Sequence, residues 1–388
     1  MSAASAEGAG RVPLRVIANE WTRIGVTGFG GPPAHIALLR KLAVDRKGWL
    51  DAREFQDANA ACGLLPGPAS TQLALFCAYR VAGPAGVIVG GLGFIAPAVI
   101  LILALSLVFL AHTPPLWIRG AGAGAGAAVA AVAMHAAHGL LAPSFARVRS
   151  DRARVVRWGA YLVVGIGAAA LLGPYLVLAL LGCGLLEVVI ERRGLPGGPL
   201  VFVIPGAVSV GGIGALCWTA FKVGALSFGG GFVIIPLMHG DAVHTSHWMT
   251  NAQFLNAVAL GQITPGPVVA TVAAVGYAAH GLAGGVIAAA VAFAPSFSFI
   301  LLGGPRFEQI RTNTAAKAFL SGAGPAAIGA IAGAAVVLAE ALREAWQFGI
   351  LTAALLALLV LKRGVVQTLL SAGAVGVIAA LAGAPLPH

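Results

Sequence analysis

The sequence predicts an all-α polytopic membrane protein of two homologous halves in inverted topology, with broken or re-entrant helices. Three observations support this prediction: long apolar runs, an internal repeat at one fixed spacing, and a reversal of loop charge between the two copies. Only 10% of the 388 residues are charged, whereas a soluble domain carries about a quarter. The mean hydropathy of +0.92 agrees. This composition excludes an ordinary soluble domain.

The apolar segments come in two matching series. Several reach 18 residues or more, enough to span roughly 30 Å of hydrocarbon. The first series lies at about 14–38, 56–80, 83–111, 118–141, 158–172 and 174–190, and the second at about 218–238, 255–279, 283–302, 318–341, 348–361 and 365–383. A further stretch at about 200–217 joins them. Because 158–172 and 174–190 are short for two spans, the number of spans stays open by two or three.

The repeat holds one register of 199 residues. About 16 of about 58 positions are identical when 29–86 is laid on its copy. The matches include Phe29-Gly30-Gly31 with Phe228-Gly229-Gly230, Trp49 with Trp248, Phe55 with Phe254, and Pro66-Gly67-Pro68 with Pro265-Gly266-Pro267. We therefore divide the chain into an N-terminal repeat at 14–192, a linker with an extra span at 193–212, and a C-terminal repeat at 213–385.

Loop charge reverses between the copies. Five Lys or Arg residues lie in 40–53 and none in 239–251, whereas 112–119 carries one Arg and its counterpart 303–317 carries three basic residues. The same reversal relates the Arg-rich loop 143–157 to 340–347, and the neutral Gly173-Pro174 to Lys362-Arg363. By the positive-inside rule, equivalent loops then lie on opposite faces of the membrane. That is the inverted repeat of many secondary transporters.

This arrangement needs an odd number of crossings between 40–53 and 112–119. Either the segment around Pro66 is re-entrant, or the run 83–111 bends at Pro97 and counts twice. We favour re-entry.

Two repeated motifs interrupt helices in corresponding positions, which is the best pointer to a midplane binding site. Consecutive glycines free the backbone, and Pro-Gly-Pro ends one helix and starts another. The new N-terminus presents unpaired N–H groups and partial positive charge to an anion. The predicted substrate-binding residues are Gly30, Gly31, Pro66, Gly67, Pro68, Ser70, Thr71, Gln72, Ser227, Gly229, Gly230, Gln262, Thr264, Pro265, Gly266, Pro267 and Thr271. The alternative is that these breaks only kink helices or allow close packing.

A few polar side chains are candidates for the transport path. Arg23 and Lys222 lie just before the two Phe-Gly-Gly motifs, and Arg80 follows the first Pro-Gly-Pro segment. These cations line an anion path or snorkel to the interface. His35, one turn after Pro32, is either a proton-coupling group in the site or a satisfied helix histidine. Asn59 enters a span and is a further path candidate, and Glu187 is expected at the interface.

Other classes of function find no support. The net charge of +11 fits basic cytoplasmic loops better than a nucleic-acid surface. His135 and His138 have no third ligand nearby, so we predict no metal site, and we predict no cofactor. The chain lacks a Walker motif, HExxH, GxSxG and paired intramembrane carboxylates, so an enzyme is not expected. Residues 1–15 lack the apolar core of a cleavable signal peptide.

The sequence resembles the chromate transporter (CHR) family in its long, two-half form. The resemblance rests on Phe29-Gly30-Gly31-Pro32 with His35, the loop ending at Trp49, and Leu65-Pro66-Gly67-Pro68 followed by Gln72, together with their second-half counterparts. The second half departs from the first at Gly231 for Pro32 and at Ile234 for His35. The two halves are therefore expected to do different jobs.

This resemblance implies a secondary carrier of a bacterial-type inner membrane that exports chromate by alternating access. The membrane potential is sufficient to drive a dianion outward. Proton coupling is optional, and few acids lie within the spans to serve it. The partners expected are chromate, with sulfate as the alternative oxyanion, and the lipid bilayer; a homodimer stays open. A sulfate transporter, an anion channel and, from another class, a membrane-embedded enzyme are the alternatives.

Overall fold

A computed structural model describes residues 12–63, 67–111, 113–172, 175–192, 212–227, 233–303 and 313–387. These residues form fourteen α-helices and no β-strand. The first half contains α1 (Leu14–Thr27), α2 (Pro32–Arg40), α3 (Ala52–Cys62), α4 (Ala69–Phe109), α5 (Leu116–Ala146), α6 (Arg152–Leu171) and α7 (Leu176–Arg192). The second half contains α8 (Ile213–Leu226), α9 (Ile234–His239), α10 (Asn251–Ile263), α11 (Val272–Gly303), α12 (Thr314–Glu340), α13 (Ala345–Leu355) and α14 (Val365–Leu381).

The all-α membrane class is confirmed. Within the described residues, five helical stretches are long and apolar enough to cross a membrane: Ala69–Phe109, Leu116–Ala146, Arg152–Leu171, Val268–Gly303 and Thr314–Glu340. Most of the apolar stretch predicted to join the halves, 200–217, lies outside the described residues.

The seven helices of each half correspond in order, which fits the predicted repeat. A π-helical turn extends α2 at Lys41–Arg46 and another extends α9 at Gly240–Thr245, again 199 residues apart. Equivalent helices also begin in similar ways. The Asp51 side chain accepts a hydrogen bond from the N–H of Glu54 at the start of α3, and Thr250 with Gln253 forms a capping box on α10. Such caps satisfy N–H groups that a helix start leaves unpaired.

Helices α4 and α11 each contain a sharp turn that divides a short arm from a long arm. Gly83 (φ 68°) and Gly281 (φ 64°) have backbone angles that only glycine adopts readily. After the turn at Gly83 the long arm, 84–109, folds back along the short arm, 69–82, so that Gly86 lies against Ala78. No such interruption occurs at Pro97. The structure thus favours re-entry over a bend at Pro97.

The short arm of α4 also runs antiparallel to α3. Glu54, near the start of α3, forms an ion pair with Arg80, near the end of the short arm, at 2.6 Å. Both open ends of this hairpin therefore lie on one side, and Gly67 and Pro68 at its other end are buried in the protein. Helices α1 and α2 form a similar hairpin, because Arg46 reaches back to Glu20 at 3.6 Å and Trp49 stacks on Trp21.

The last helices of the halves are exchanged. Helices α6 and α7 pack against α12 of the second half, while α13 and α14 pack against α5 of the first. Glycines permit the close approach, since a Cβ on Gly322 would meet the Cys183 carbonyl and one on Gly124 would meet that of Ala372. We call α5–α7 with α12–α14 the frame, and α1–α4 with α8–α11 the hairpin bundle.

Contacts within the frame define the directions of its helices. Val188 near the end of α7 packs with Ala315 at the start of α12, and Arg157 near the start of α6 pairs with Glu187 of α7 at 2.9 Å. At the other end, Gly120 near the start of α5 lies against Ala380 of α14. The equivalent helices α5 and α12 therefore run in opposite directions.

Glu187, which was predicted at the membrane interface, is buried within the protein, where it is 3% exposed. The Arg157 guanidinium donates to both of its carboxylate oxygens, and the Tyr161 hydroxyl adds a hydrogen bond of 2.8 Å. The prediction rested on the charged neighbours of Glu187 in the sequence. The buried carboxylate is tolerated because its charge is paired and its oxygens are hydrogen-bonded.

Candidate functional site

The first-half glycine break and the second-half Pro-Gly-Pro break are joined by a backbone hydrogen bond. The N–H of Gly266 donates to the carbonyl oxygen of Gly28 at 3.0 Å. Helix α10 ends at Ile263, and the next helical turn starts only at Val268. The break predicted at 263–269 is therefore present, and it meets the glycine break of the opposite repeat.

The first-half Pro-Gly-Pro segment likewise approaches the opposite half. A Cβ on Gly67 would lie 3.2 Å from the Gly224 carbonyl oxygen and 3.5 Å from the Ser296 hydroxyl. A Cβ on Gly266 would lie 3.6 Å from the carbonyl oxygen of Gly25 and 2.7 Å from the Cβ of Ala98. Both glycines have positive φ, 116° at Gly67 and 100° at Gly266. The two tips thus enter the opposite half where only a glycine backbone fits.

His35 connects both first-half hairpins. It is fully buried, and its Nε2–H donates to the Gly28 carbonyl at 2.9 Å. Its Nδ1 lies 3.4 Å from the hydroxyl of Ser70 at the start of α4, and Phe94 contacts the ring edge-on. Because Nε2 carries the proton, a neutral His35 accepts from Ser70. Ile234 takes its place in the second half and forms no such link.

Several buried polar groups near these breaks have no hydrogen-bond partner among the described residues. They are the hydroxyls of Thr71, Ser227 and Ser296 and the amide nitrogen of Gln262. Buried polar groups are normally satisfied, so a cluster of unsatisfied donors calls for a ligand or water. Ser296 was not predicted, since a single serine in an apolar run gives no local signal; its position next to Pro295 was the available hint.

Other predicted donors are used locally or sit at the tips. Thr264 donates to the Gly261 carbonyl and Thr271 to that of Val268. Gln72 is fully buried. Its Nε2 lies close to Gly67, since a Cβ added at Gly67 would be 2.8 Å from it. The backbone contributes too, because N–H groups in the first turns after Pro68 and Pro267 have no acceptor within their own helices.

The structure describes the glycine break of the first half but not that of the second. Gly30 and Gly31 have positive φ. Gly31 lies near Val268, since a Cβ added at Gly31 would be 3.7 Å from the Val268 side chain. That contact brings the first tip to the turn after the second-half Pro-Gly-Pro. Three predicted site residues, Pro66, Gly229 and Gly230, lie outside the described residues.

The charged candidates occupy different environments. The Arg23 side chain is 64% exposed and lies 3.8 Å from Glu20. Arg80 pairs with Glu54 at the open end of the hairpin formed by α3 and the short arm of α4. Lys222, which is 199 residues from Arg23 and hence its equivalent, is buried against Asp241 at 2.5 Å. Asn59 is half-buried on α3. Only Lys222 is a cation enclosed by protein in this group.

A basic cleft opens between α1 and α2. It has a volume of about 400 Å³ and is lined by Glu20, Arg23, Ile24, Thr27, Leu38, Lys41, Leu42 and Arg46. One carboxylate faces three cations in this lining, so the cleft attracts anions. One lining residue, Thr27, directly precedes Gly28 in the chain.

The equivalent region of the second half is closed. Every residue from Ile234 to His239 is buried, whereas His35 and Leu39 are the buried residues of α2. Helix α9 packs on α7 and α12, and α10 packs on α5 and α14. In contrast, α2 and α3 pack mainly on α4. The hairpin bundle thus lies close to the frame on the second-half side and apart from it on the other.

Comparison with known proteins adds to this geometry. A family model described as "Chromate transporter" matches residues 16–188 and 214–381. The chromate transport protein of Cupriavidus metallidurans is 31% identical over 341 residues, which is 84% of this chain and 83% of that protein. The probable chromate transport protein of Synechococcus elongatus is 30% identical over 340 residues, 84% of each chain. No solved structure matches the chain significantly.

Proposed function

This chain belongs to the chromate transporter family, and from that premise we propose that it exports chromate from the cytoplasm as a secondary carrier. The observation that carries the proposal is the hydrogen bond between Gly266 and Gly28, which joins broken helices of both halves. Around that junction lie helix N-termini, whose first N–H groups generally lack acceptors within the helix, and buried hydroxyls. Such donors suit the oxygens of a tetrahedral dianion.

We assign the cytoplasmic face to the end of the molecule that carries Arg157 and the start of α12. The opposite directions of α5 and α12 support an inverted topology. The loop 239–251, which has no Lys or Arg, lies at the other end, where His239 and Leu172 line one cavity. Basic residues concentrate on cytoplasmic loops, so export begins at the basic end.

We propose alternating access as the mechanism, with this conformation open to the cytoplasm. The open basic cleft between α1 and α2 and the closed packing of α9 and α10 on the frame support this assignment. In the opposite state, α9 and α10 would separate from the frame while α2 and α3 approach it. The equivalent halves then exchange roles, as expected of an inverted repeat.

The membrane potential supplies the driving force in this scheme. A dianion that leaves a cytosol negative inside gains about 4.6 kcal/mol per 100 mV, twice the ~2.3 kcal/mol of a single charge. That energy supports a gradient of roughly a thousandfold or more. Proton coupling is not required, although His35 is a titratable group at the junction. The sulfate dianion presents the same shape and charge to these donors and is the expected competitor.

Uptake of chromate into inside-out membrane vesicles with an interior-positive potential tests the proposal. Export from the cell corresponds to uptake in this orientation. The bacterial-type inner membrane, which we propose as the location, is also the membrane from which such vesicles are prepared. Accumulation above that of vesicles without the protein is the expected result.

A further inference from the structure

A buried carboxylate in the second half is held by an ammonium and a hydroxyl. Lys222 Nζ lies 2.5 Å from Oδ2 of Asp241, and the side chains are 9% and 8% exposed. The hydroxyl of Thr219 donates to the same oxygen at 2.8 Å. The indole of Trp218 lies 5.8 Å from the ammonium. One carboxylate oxygen of Asp241 thus accepts from two donors, Lys222 and Thr219, in a largely apolar setting.

The equivalent positions of the first half lack this arrangement. In the 199-residue register, Thr219 corresponds to Glu20, Lys222 to Arg23 and Asp241 to Leu42. In the first half Leu42 occupies the position of Asp241, and the exposed Arg23 faces the open basic cleft with Glu20 3.8 Å away. The second half instead places its acid on the π-helical turn that follows α9, where it is buried against the cation.

A requirement for stability does not explain a buried ion pair at this place. The free energy needed to take two charges out of water offsets much of the attraction between them. Apolar residues of similar volume therefore usually give the folded protein a similar stability. Ionisable groups at membrane depth are functional by default. The pair is also close to the junction, because Lys222 precedes Ser227 by five residues, about 7.5 Å along a helix, and Gly224 between them faces Gly67.

We propose that Lys222 and Thr219 form an oxyanion-binding station, occupied in this conformation by the chain's own Asp241 carboxylate. The inference rests on the proposed function. Oδ2 of Asp241 stands in for one oxygen of a tetrahedral dianion such as chromate or sulfate. An incoming dianion competes with the carboxylate for Lys222 and Thr219, and when α9 separates from the frame the bound dianion is released toward the face that carries loop 239–251. Asp241 then returns and closes the path.

The test combines flux and binding measurements on the full-length protein in proteoliposomes. Asp241→Asn removes the internal competitor, so the half-saturating chromate concentration should fall by roughly tenfold or more, the scale of close charge pairs. The double variant Lys222→Met, Asp241→Leu keeps the site neutral and packed. It should stay folded while its half-saturating chromate concentration rises by a similar factor. The double variant decides the question if Asp241→Asn fails to fold.

The pair Arg157 and Glu187 provides a matched control. It is also a buried ion pair with a bonded hydroxyl, but it lies in the frame. Arg157→Met with Glu187→Leu should leave the half-saturating chromate concentration unchanged. If the Lys222 and Asp241 double variant transports chromate like the wild type, the station does not exist, although the export function stands. If the wild type itself carries no chromate flux, the export function and the station both fail.

Discussion

The backbone N–H of Gly266 donates a hydrogen bond to the carbonyl oxygen of Gly28, a residue in the other half of the chain. The same carbonyl accepts from His35. A single oxygen therefore ties together the glycine break, the Pro-Gly-Pro break of the opposite repeat and a titratable side chain. Any movement of one half relative to the other has to change this contact or carry it along.

Gly266→Ala should reduce chromate export by roughly tenfold or more, which corresponds to about 1.4 kcal/mol. The new Cβ would lie 2.7 Å from that of Ala98, so the tip has to withdraw from Gly28. The positive φ adds a backbone cost of about 1–2 kcal/mol. Initial rates in proteoliposomes and thermal unfolding of the purified variant provide the measurements.

Gly281→Ala is the control for backbone strain. Gly281 also has a positive φ, but nothing lies within 4 Å of the position of its Cβ. It should lose a similar amount of stability and keep most of its transport. Equal loss of transport in both variants would mean that strain, rather than the junction, limits export.

His35→Ile, which introduces the residue of the second half, should reduce export strongly and leave the fold intact. The substitution removes the imidazole that donates to the Gly28 carbonyl and accepts from the Ser70 hydroxyl. The buried carbonyl thereby loses one hydrogen bond, worth about 1 kcal/mol. Chromate tolerance of expressing cells and flux in vesicles are the readouts. His138→Ala, at an exposed position of α5, should behave as wild type. Normal export by His35→Ile would show that the imidazole is only a packing element.

Ser296→Ala should weaken chromate binding by a few-fold without lowering the melting temperature. The hydroxyl of Ser296 has no partner among the described residues, so its removal costs the protein no internal hydrogen bond. A bound dianion would lose a donor worth about 0.5–1.5 kcal/mol. Equilibrium binding of chromate to the purified protein measures the effect.

Ser106→Ala is the companion to that variant. Ser106 is likewise buried and without a partner in the described part of the chain, but it lies near the far end of the long arm of α4. Its replacement should leave binding unchanged. A melting temperature that falls in Ser296→Ala with no change in affinity would assign Ser296 to packing alone.

Accessibility of cysteines at Thr27 and Leu226 should report which side is open. These residues are 199 apart and end the equivalent helices α1 and α8. Thr27 is exposed at the basic cleft, and Leu226 is half-buried. In a background with the half-buried Cys217 replaced by Ser, a membrane-impermeant thiol reagent on the cytoplasmic side should modify Thr27→Cys rapidly and Leu226→Cys slowly. Equal rates would remove the support for a cytoplasm-open conformation.

Much of this architecture follows from local constraints that a single sequence contains. The breaks at Gly30-Gly31 and Pro265-Gly266-Pro267 were predicted because glycine frees the backbone from helical angles and proline cannot continue a helix, wherever they occur. The correspondence of the halves follows from the fixed register between those motifs. The family assignment suggested by them is confirmed.

Other features depend on contacts between distant segments. The exchange of α6–α7 and α13–α14 between the halves has no sequence signature, because helices that are apolar on all sides do not encode a partner. Asp241 was not predicted, since it lies between two histidines in a segment without apolar periodicity. It lies on a π-helical turn, and its partner Lys222 belongs to another helix.

Flux driven by the membrane potential tests the central claim most directly. The measurement is accumulation of radiolabelled chromate in inside-out vesicles at a series of imposed interior-positive potentials, with Gly266→Ala as the matched variant. The account predicts uptake that saturates with chromate, rises with the potential and falls in the variant. Chromate levels equal to those of vesicles without the protein, at every potential, would contradict it.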